Sequence, residues 1–249
     1  MSINNQKGFT MVELLIVLPI VSLIVIIVFN YMFVSYGKML QENTEANLRL
    51  EGETMLLDLE DELLFTTDYA ETKSSDLTDP YAPSGGWTYN TNPDTLIIYE
   101  TSLTAPRRDP DRNFVYKNVY GCSGGNSAYN PIAINNLVYF TKQNTTNPYK
   151  TLYRRTLIPQ YSTCNTNYKK QSCPTANVGT SPCQIADTKL SENIIDFQVE
   201  YYDDNNVLIN TPSGSPLNAE KVKLIATLGK SIYGKDLSIQ TSITMKKIN

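Results

Sequence analysis

The sequence contains no histidine in 249 residues, and this absence narrows the chemistry open to the chain. Histidine is the commonest metal ligand and the commonest general base in proteins. No nucleophile elbow, phosphate-binding loop or metal motif takes its place, although lysine, cysteine and carboxylate side chains are present. We therefore expect no enzymatic activity and no cofactor.

Positive charge is also scarce, since 21 lysines and arginines face 25 aspartates and glutamates and give a formal net charge of −4. Domains that bind nucleic acid usually present a basic face, so we predict no direct nucleic-acid binding. Charged residues make up 18% and apolar residues 41% of the chain, which excludes an obviously disordered chain and a many-span membrane protein. The length suits one domain plus an anchor, or two small domains.

One long apolar run is present, at the N-terminus. Residues 1–8 are polar, with a single cation at Lys7, and the run extends from Phe9 to about Val34. About 20 apolar residues span a bilayer, so the run suffices. It is longer than the apolar stretch of a secretory signal peptide, and no small-residue cleavage site follows it. A plain signal anchor fits the length but does not explain Glu13, because a carboxylate near the membrane is costly.

Residues 7–17 resemble the processing and assembly signal of type IV prepilins. The order is a basic residue, Gly8, Phe9, a hydroxyl, an apolar pair, Glu13 and then aliphatics. The resemblance implies that prepilin peptidase cuts between Gly8 and Phe9, that Phe9 is then N-methylated, and that Glu13 is the carboxylate of filament assembly. It implies a membrane-anchored subunit of a pilus or pseudopilus. The alternative is a signal-anchored extracellular binding protein or enzyme outside any filament.

Elementary electrostatics suggests what Glu13 does in such a filament. Cleavage exposes a cationic amine at the start of an apolar helix. Burying a cation or a carboxylate alone is costly, and burying the two as a pair is tolerable. A neighbouring subunit's Phe9 amine is then the natural partner of Glu13, and the pair would select one helix register. Alternatively, Glu13 interacts with its own helix N-terminus, where the dipole favours a carboxylate. Both arrangements can hold, before and after assembly.

Two further expectations concern the membrane. Many pilins carry a proline about two-thirds through the apolar segment, where this chain has Asn30; here Pro19 predicts a kink around residues 15–19. A leader cut on the cytoplasmic side requires the N-terminus inside and the C-terminus outside. We expect a single-pass inner-membrane or cytoplasmic-membrane protein that contacts the lipid bilayer and an inner-membrane assembly platform. It later enters an extracellular or periplasmic filament.

The sequence predicts four segments: a leader (1–8), a transmembrane and assembly helix (9–34), an amphipathic continuation of it (35–65) and a β-rich extracytoplasmic head (66–249). Apolar residues in the continuation recur at three-to-four spacing, with acids on the other side. These are Leu48, Gly52, Met55, Leu56, Leu59 and Leu63. We expect this face to pack on the head.

The head shows the alternation typical of strands. We predict strands at residues 95–99, 137–140 and 152–157, and a half-buried strand in which Ile195, Phe197, Val199 and Tyr201 face inward. Residues 203–206 predict a turn into residues 207–209, and two further alternating strands follow, at 222–228 and 237–245. The fold class is α+β, a long helix on an antiparallel sheet, with one sheet or two.

A second resemblance lies in the C-terminal half. Residues 152–155, 190–203 and 219–228 are similar to segments of PilW-like minor pilins and J-type minor pseudopilins. The resemblance implies a large head on the pilin plan, a position at or near the filament tip and a part in starting assembly. The tip ligand is unknown, and so is the machine: twitching pilus, secretion pseudopilus or DNA-uptake pilus.

Four cysteines lie in the loop-rich middle of the chain: Cys122, Cys164, Cys173 and Cys183. In an oxidising space we expect two disulfides, with three possible pairings and at least one bridge among the last three cysteines. A zinc site is disfavoured by the spacing and by the lack of histidine. The polar region 142–190, which holds Lys169 and Lys170, is either a functional tip surface or a pinned, solvated insertion.

Oxygen-rich turns suggest one weak metal possibility. Calcium binds oxygen clusters, but aspartate and asparagine are also ordinary turn residues. The candidates are Asp109, Asp111, Asp203 and Asp204. The neighbouring arginines Arg107, Arg108 and Arg112 are expected to be solvated charges rather than an anion site.

Overall fold

The structure, a computed structural model, describes residues 10–63, 66–89, 95–123, 129–145, 147–209 and 215–247. The chain divides into two compact units, Met1–Asn47 and Leu48–Asn249. The predicted leader, residues 1–8, lies outside the described residues. The fold is the predicted α+β class, with one long helix, an antiparallel sheet and two disulfides.

Among the described residues there is one α-helix, α1, which covers Met11–Leu63. It continues without interruption through Pro19, Asn30 and Gly37. Pro19 has no amide to donate to the preceding turn, which is the reason to expect a kink there. The kink remains a prediction. Residues 64–65, where the sequence predicts the end of the helix, lie outside the described residues.

Seven antiparallel strands form the main sheet, in the order β1-β2-β3-β4-β7-β8-β9, and a two-stranded parallel ladder joins β5 and β6. All six predicted strands are longer than expected, because residues beyond the predicted ends also pair with neighbouring strands. The bounds are β1 Thr66–Tyr69, β2 Leu96–Thr101, β3 Ile134–Gln143, β4 Lys150–Leu157, β5 Ser172–Cys173, β6 Ile185–Ala186, β7 Thr188–Tyr202, β8 Lys221–Ile232 and β9 Lys235–Lys246.

The main core lies between the sheet and the part of α1 that belongs to the second unit. The predicted helix face is buried in full, since the exposed fractions of Leu48, Met55, Leu56, Leu59 and Leu63 are 3% or less. They pack against alternating residues of the strands, among them Leu137, Phe197, Val222, Leu224 and Leu228. The sixth predicted position, Gly52, permits close approach: a Cβ there would lie 2.9 Å from Thr241 Cγ2 and 3.2 Å from Leu228 Cδ1.

A second, smaller core covers the other face of the central strands. The segment between β1 and β2 contributes Ala70, Leu77 and Trp87, which pack on Ile97 of β2 and Val138 of β3. Residues 96–98 of β2 are fully buried because neighbours on that strand alternate between two covered faces. The continuous apolar run there follows from this double burial.

The sequence prediction of inward residues on β7 is wrong at its first position. The β7–β8 register shifts between Ile194 and Asp196, so Ile194 is buried and Ile195 is 43% exposed. Such a bulge reverses the alternation for the residues before it. From Phe197 onward the predicted phase holds, with Phe197 and Tyr201 buried and Val199 half-buried.

Two turns follow strands of the sheet, at residues 233–234 and at residues 203–206. The β8–β9 hairpin turns at Tyr233 and Gly234, whose φ angles of 50° and 74° are those of a two-residue hairpin turn. At residues 203–206, Asp203 Oδ1 accepts hydrogen bonds from the Asn205 and Val207 amides, at 2.9 and 2.7 Å. This confirms the predicted turn; beyond it Leu208 forms a single bridge to Tyr202 rather than a strand.

Candidate assembly segment and the anchors of the head

The start of α1 is built around Thr10 and Glu13. The Glu13 amide donates to Thr10 Oγ1 at 3.3 Å, and the Thr10 amide donates to Glu13 Oε2 at 3.0 Å. The Thr10 hydroxyl also donates to the same Oε2, at 2.9 Å. Threonine at the N-cap with glutamate three residues later is a capping box, in which each side chain satisfies an amide that the helix leaves unpaired.

This geometry is the alternative in which Glu13 interacts with the N-terminus of its own helix. In the single chain, the carboxylate binds the N-terminus of its own helix. Both described bonds reach Oε2, and none of the described residues donates to Oε1. One carboxylate can therefore cap its own helix and still accept a further donor. Gly8 and Phe9, the predicted cleavage and methylation residues, lie outside the described residues.

The helix that follows the capping box is apolar and uncovered. Every residue from 10 to 36 is exposed, including large side chains such as Leu15, Ile24 and Phe33. This part of α1 is the one helix among the described residues that is long and apolar enough to cross a membrane. Within this stretch the Ser22 hydroxyl is satisfied locally, since it donates to the Leu18 carbonyl at 2.8 Å. A contiguous apolar surface of this size indicates contact with lipid or with other apolar helices.

At the other end of α1, partly buried ion pairs anchor the helix to the sheet of the second unit. Glu62 accepts hydrogen bonds from the Tyr139 hydroxyl and the Arg154 guanidinium. Burial raises the pKa of Glu62, but the charges of Arg154 and Lys169 and the hydrogen bonds outweigh burial, so the net pKa is lowered. Burial and the adjacent Glu62 charge raise the pKa of Tyr139 well above its usual value.

Arg107 belongs to the same cluster, so the prediction that it is a solvated charge is wrong. Arg107 pairs with Glu100, whose side chain is 3% exposed, and its side chain is itself only 15% exposed. Lys169, from the polar region 142–190, reaches Glu100 at 2.7 Å. An unpaired buried carboxylate is costly, and Glu100 therefore draws both cations inward.

Region 142–190 is accordingly not a solvated insertion throughout. It contains β4 and the β5–β6 ladder, and Gln171, Ser172 and Cys173 are buried. Gln171 ties the segment down, since its Nε2 donates to the Thr78 carbonyl at 3.1 Å and its Oε1 accepts from the Ile158 amide at 2.8 Å. Whether the region serves as a tip surface stays a prediction.

The cysteines form two disulfides, Cys122–Cys164 and Cys173–Cys183. The second confirms the prediction of a bridge among the last three cysteines. The first joins residues 42 apart in sequence and holds the segment that follows β2 to the segment that follows β4.

The calcium candidates serve as turn residues. Asp109 Oδ1 accepts from the Asp111 amide at 2.9 Å, and Asp204 Oδ1 accepts from Asn205 Nδ2 at 2.8 Å. Within the described ranges, no group of three or more His, Cys, Asp or Glu side chains is placed to hold a metal ion. Asp203 is occupied in the turn described above.

The sequence alone does not reveal the anchoring roles of Glu62, Tyr139 and Arg154. It places Glu62 among the acids on the polar side of the helix and Arg154 in the predicted strand 152–157. An arginine on a strand whose neighbours are apolar is a signal for a buried ion pair, but its partners come from distant segments and have no local pattern. The capping box, by contrast, is readable from the spacing of Thr10 and Glu13.

Comparison with known proteins adds one match. Residues 3–29 match the family model described as the prokaryotic N-terminal methylation motif. No curated protein and no solved structure matches the chain. The motif implies processing by prepilin peptidase and assembly with other pilins. Together with the apolar helix, it supports a type IV pilin-like protein, a pilin or pseudopilin subunit held in the membrane by α1.

Proposed function

We propose that the chain is a minor type IV pilin or pseudopilin. Prepilin peptidase cuts it after Gly8, Phe9 is N-methylated, and the mature subunit joins a pilus or pseudopilus through its apolar helix. The observation that carries the proposal is the coincidence of the methylation motif at residues 3–29 with an uncovered apolar helix whose N-terminus is capped by Thr10 and Glu13. The role is structural rather than catalytic.

The minor rank and the tip position rest on the head. It is large, with a seven-stranded sheet and two disulfides, and its C-terminal segments are similar to those of PilW-like minor pilins and J-type pseudopilins. Before assembly the subunit spans the inner or cytoplasmic membrane with its N-terminus inside and its head outside. It then meets the assembly platform and helps to start the filament.

Glu13 guides the addition of subunits by its charge. Oε1, to which no residue in the described part of the chain donates, accepts a neighbour's N-terminal amine while Oε2 still caps the helix. In an apolar surrounding each charge is costly alone, so a helix that docks out of register leaves two unpaired charges. One register is thereby favoured.

The substitution Glu13→Gln separates charge from capping, because glutamine at this position also completes a capping box. We expect the variant to insert in the membrane but to be lost from sheared filaments, by about tenfold or more, since breaking a desolvated charge pair costs several kcal/mol. Glu53→Gln, a change of an exposed glutamate on the same helix, is the matched control and should assemble normally.

A third variant, Thr10→Val, removes the capping hydroxyl and keeps the carboxylate. We expect it to assemble better than Glu13→Gln. If Glu13→Gln assembles as the unmodified chain does while Thr10→Val does not, capping rather than charge pairing is the role of Glu13. Immunogold labelling of a tag on the head tests the position of the subunit in the filament. Label at filament ends supports the tip position, and label along the shaft contradicts it.

A further inference from the structure

A cleft of about 550 Å³ lies on the head, over β3 and β4. Phe140 and Tyr153, which are directly opposed on these two strands, contribute to its lining. The segment between β1 and β2 supplies one side through Tyr81 and Trp87, and residues 174–176 supply another. The volume falls within the range of small-molecule sites, about 300–1,000 Å³.

Four aromatic side chains contribute to the lining: Tyr81, Trp87, Phe140 and Tyr153. The ring centroids of Phe140 and Tyr153 are 5.8 Å apart with an interplanar angle of 23°, and those of Trp87 and Phe140 are 4.7 Å apart. Tyr153 and Tyr81 are half-buried rather than buried, so part of each ring is accessible from the cleft. Rings of this kind offer flat apolar faces to a ligand, with a hydroxyl at the tyrosine edge.

The charges at the cleft balance. Arg155 is 2% exposed and donates to Asp187 Oδ2 at 2.6 Å and to Asp79 Oδ2 at 3.1 Å. Its guanidinium also lies 5.3 Å from the Phe140 ring centroid. Two buried carboxylates thus share one guanidinium, and Lys142, exposed in the lining, supplies the second positive charge. No excess charge of either sign calls for an ionic ligand.

The cleft is also preformed. The Cys173–Cys183 disulfide begins one residue before the 174–176 side of the cleft. On the other side, the Arg155 Nη1 donates to the Tyr81 carbonyl at 2.9 Å, and the Trp87 Nε1 donates to Asp79 Oδ2 at 2.6 Å. A cleft whose sides are fixed in this way loses little entropy when a ligand binds.

We propose that this cleft binds a neutral sugar unit of a glycan. A pyranose has an apolar face that stacks on an aromatic ring, and hydroxyls at its edge that bond to the carboxylate of Asp187, the ammonium of Lys142 and the hydroxyl of Thr175. The balanced charge disfavours an acidic or a cationic ligand, and the polar groups among the rings disfavour a purely apolar one. The inference does not depend on filament assembly.

Trp87 gives a direct assay because it is the single tryptophan of the chain and lines the cleft. The full chain in mild detergent is titrated with glucose, galactose, mannose, N-acetylglucosamine and their β-1,4-linked and α-1,4-linked disaccharides, and the Trp87 emission is followed. We expect at least one of these sugars to give a saturable change. Sialic acid and a polyproline peptide serve as competing probes.

Two variants locate the binding. Tyr153→Leu removes the ring and keeps apolar volume, and Ala176→Phe fills the cleft from an exposed position that tolerates a larger side chain. Each should weaken the sugar response by about tenfold or more, as expected for a central aromatic contact. Tyr120→Leu, which alters a tyrosine that is 61% exposed and outside the cleft, should leave the response unchanged.

Three results would overturn the proposal. In the first, no sugar of the panel changes the Trp87 emission at tens of millimolar. In the second, the response survives in both cleft variants. In the third, only sialic acid or only polyproline binds. The unliganded emission and the thermal midpoint of each variant show whether it has folded, and Ala176→Phe keeps the test decisive if Tyr153→Leu does not fold.

Discussion

Two stretches of the same helix carry many leucines, and the protein uses them in opposite ways. From residue 11 to 36 apolar side chains cover the whole circumference and all are exposed. From residue 48 to 63 one apolar face is buried, and Leu50 and Leu57, which lie outside that face, are exposed. A helix that is apolar all round needs an apolar surrounding, while a one-sided helix needs only one partner surface. The first stretch therefore depends on a membrane or on other subunits, and the second depends on the sheet of its own head.

Removing a buried charge should destabilise the head severely. Arg155→Met leaves Asp79 and Asp187 buried without their cation, and we expect the free energy of unfolding of the head to fall by about 3–5 kcal/mol. Denaturant unfolding of the full chain in detergent, followed by Trp87 emission, measures the loss. Lys189→Met, which removes one partner of the exposed Lys189–Glu192 pair, should leave the midpoint unchanged. Equal losses in the two variants would show that the Arg155 cluster does not stabilise the head.

A pair of leucine truncations tests whether each of the two stretches of α1 stabilises the head. Leu59→Ala empties a position that is 1% exposed in the main core and should cost about 2–5 kcal/mol of unfolding free energy. Leu23→Ala, at a position that is 60% exposed, should leave the unfolding of the head unchanged in the same detergent. A similar loss from both truncations would mean that the first stretch also packs on the head.

Two tyrosine hydroxyls in the head should respond with opposite signs. Tyr139→Phe removes a donor to the Glu62 carboxylate and should destabilise the head by about 1.5–3 kcal/mol. The buried Tyr201 hydroxyl has no hydrogen-bond partner among the described residues, so Tyr201→Phe should raise the free energy of unfolding by about 1 kcal/mol. Thermal melts compare the two variants with the unmodified chain, and destabilisation by Tyr201→Phe would reveal a partner for that hydroxyl.

One further effect is confined to alkaline pH and is absent at neutral pH. Burial, reinforced by the charges of Asp68 and Glu220, raises the pKa of Tyr69 to about 12 from 10.0. Because the folded pKa is the higher one, the stabilisation is complete below pH 10 and is lost as the pH rises from 10 towards 12. The Tyr69→Phe variant should therefore show a shallower loss of stability in that interval, measured as denaturation midpoints against pH. An identical slope with and without the hydroxyl would contradict the assignment.

Periodicity alone predicted the buried face of α1, the later strands and the fold class, because each of these depends on local alternation against one surface. It failed at Ile195, since a bulge is fixed by the pairing of β7 with β8 and not by β7 itself. It also missed the partners of Arg155, which come from segments 76 and 32 residues away. At the N-terminus the spacing of Thr10 and Glu13 is local, so the capping box was within reach of the sequence.

The proposed function requires that proteolysis creates the start of the uncovered helix. Mass spectrometry of the N-terminal peptide, in protein taken from membranes and from sheared filaments, tests this requirement. We predict a chain that begins at Phe9 and carries one methyl group on its amine. A mature chain that retains Met1, or one cut beyond residue 30, would contradict it.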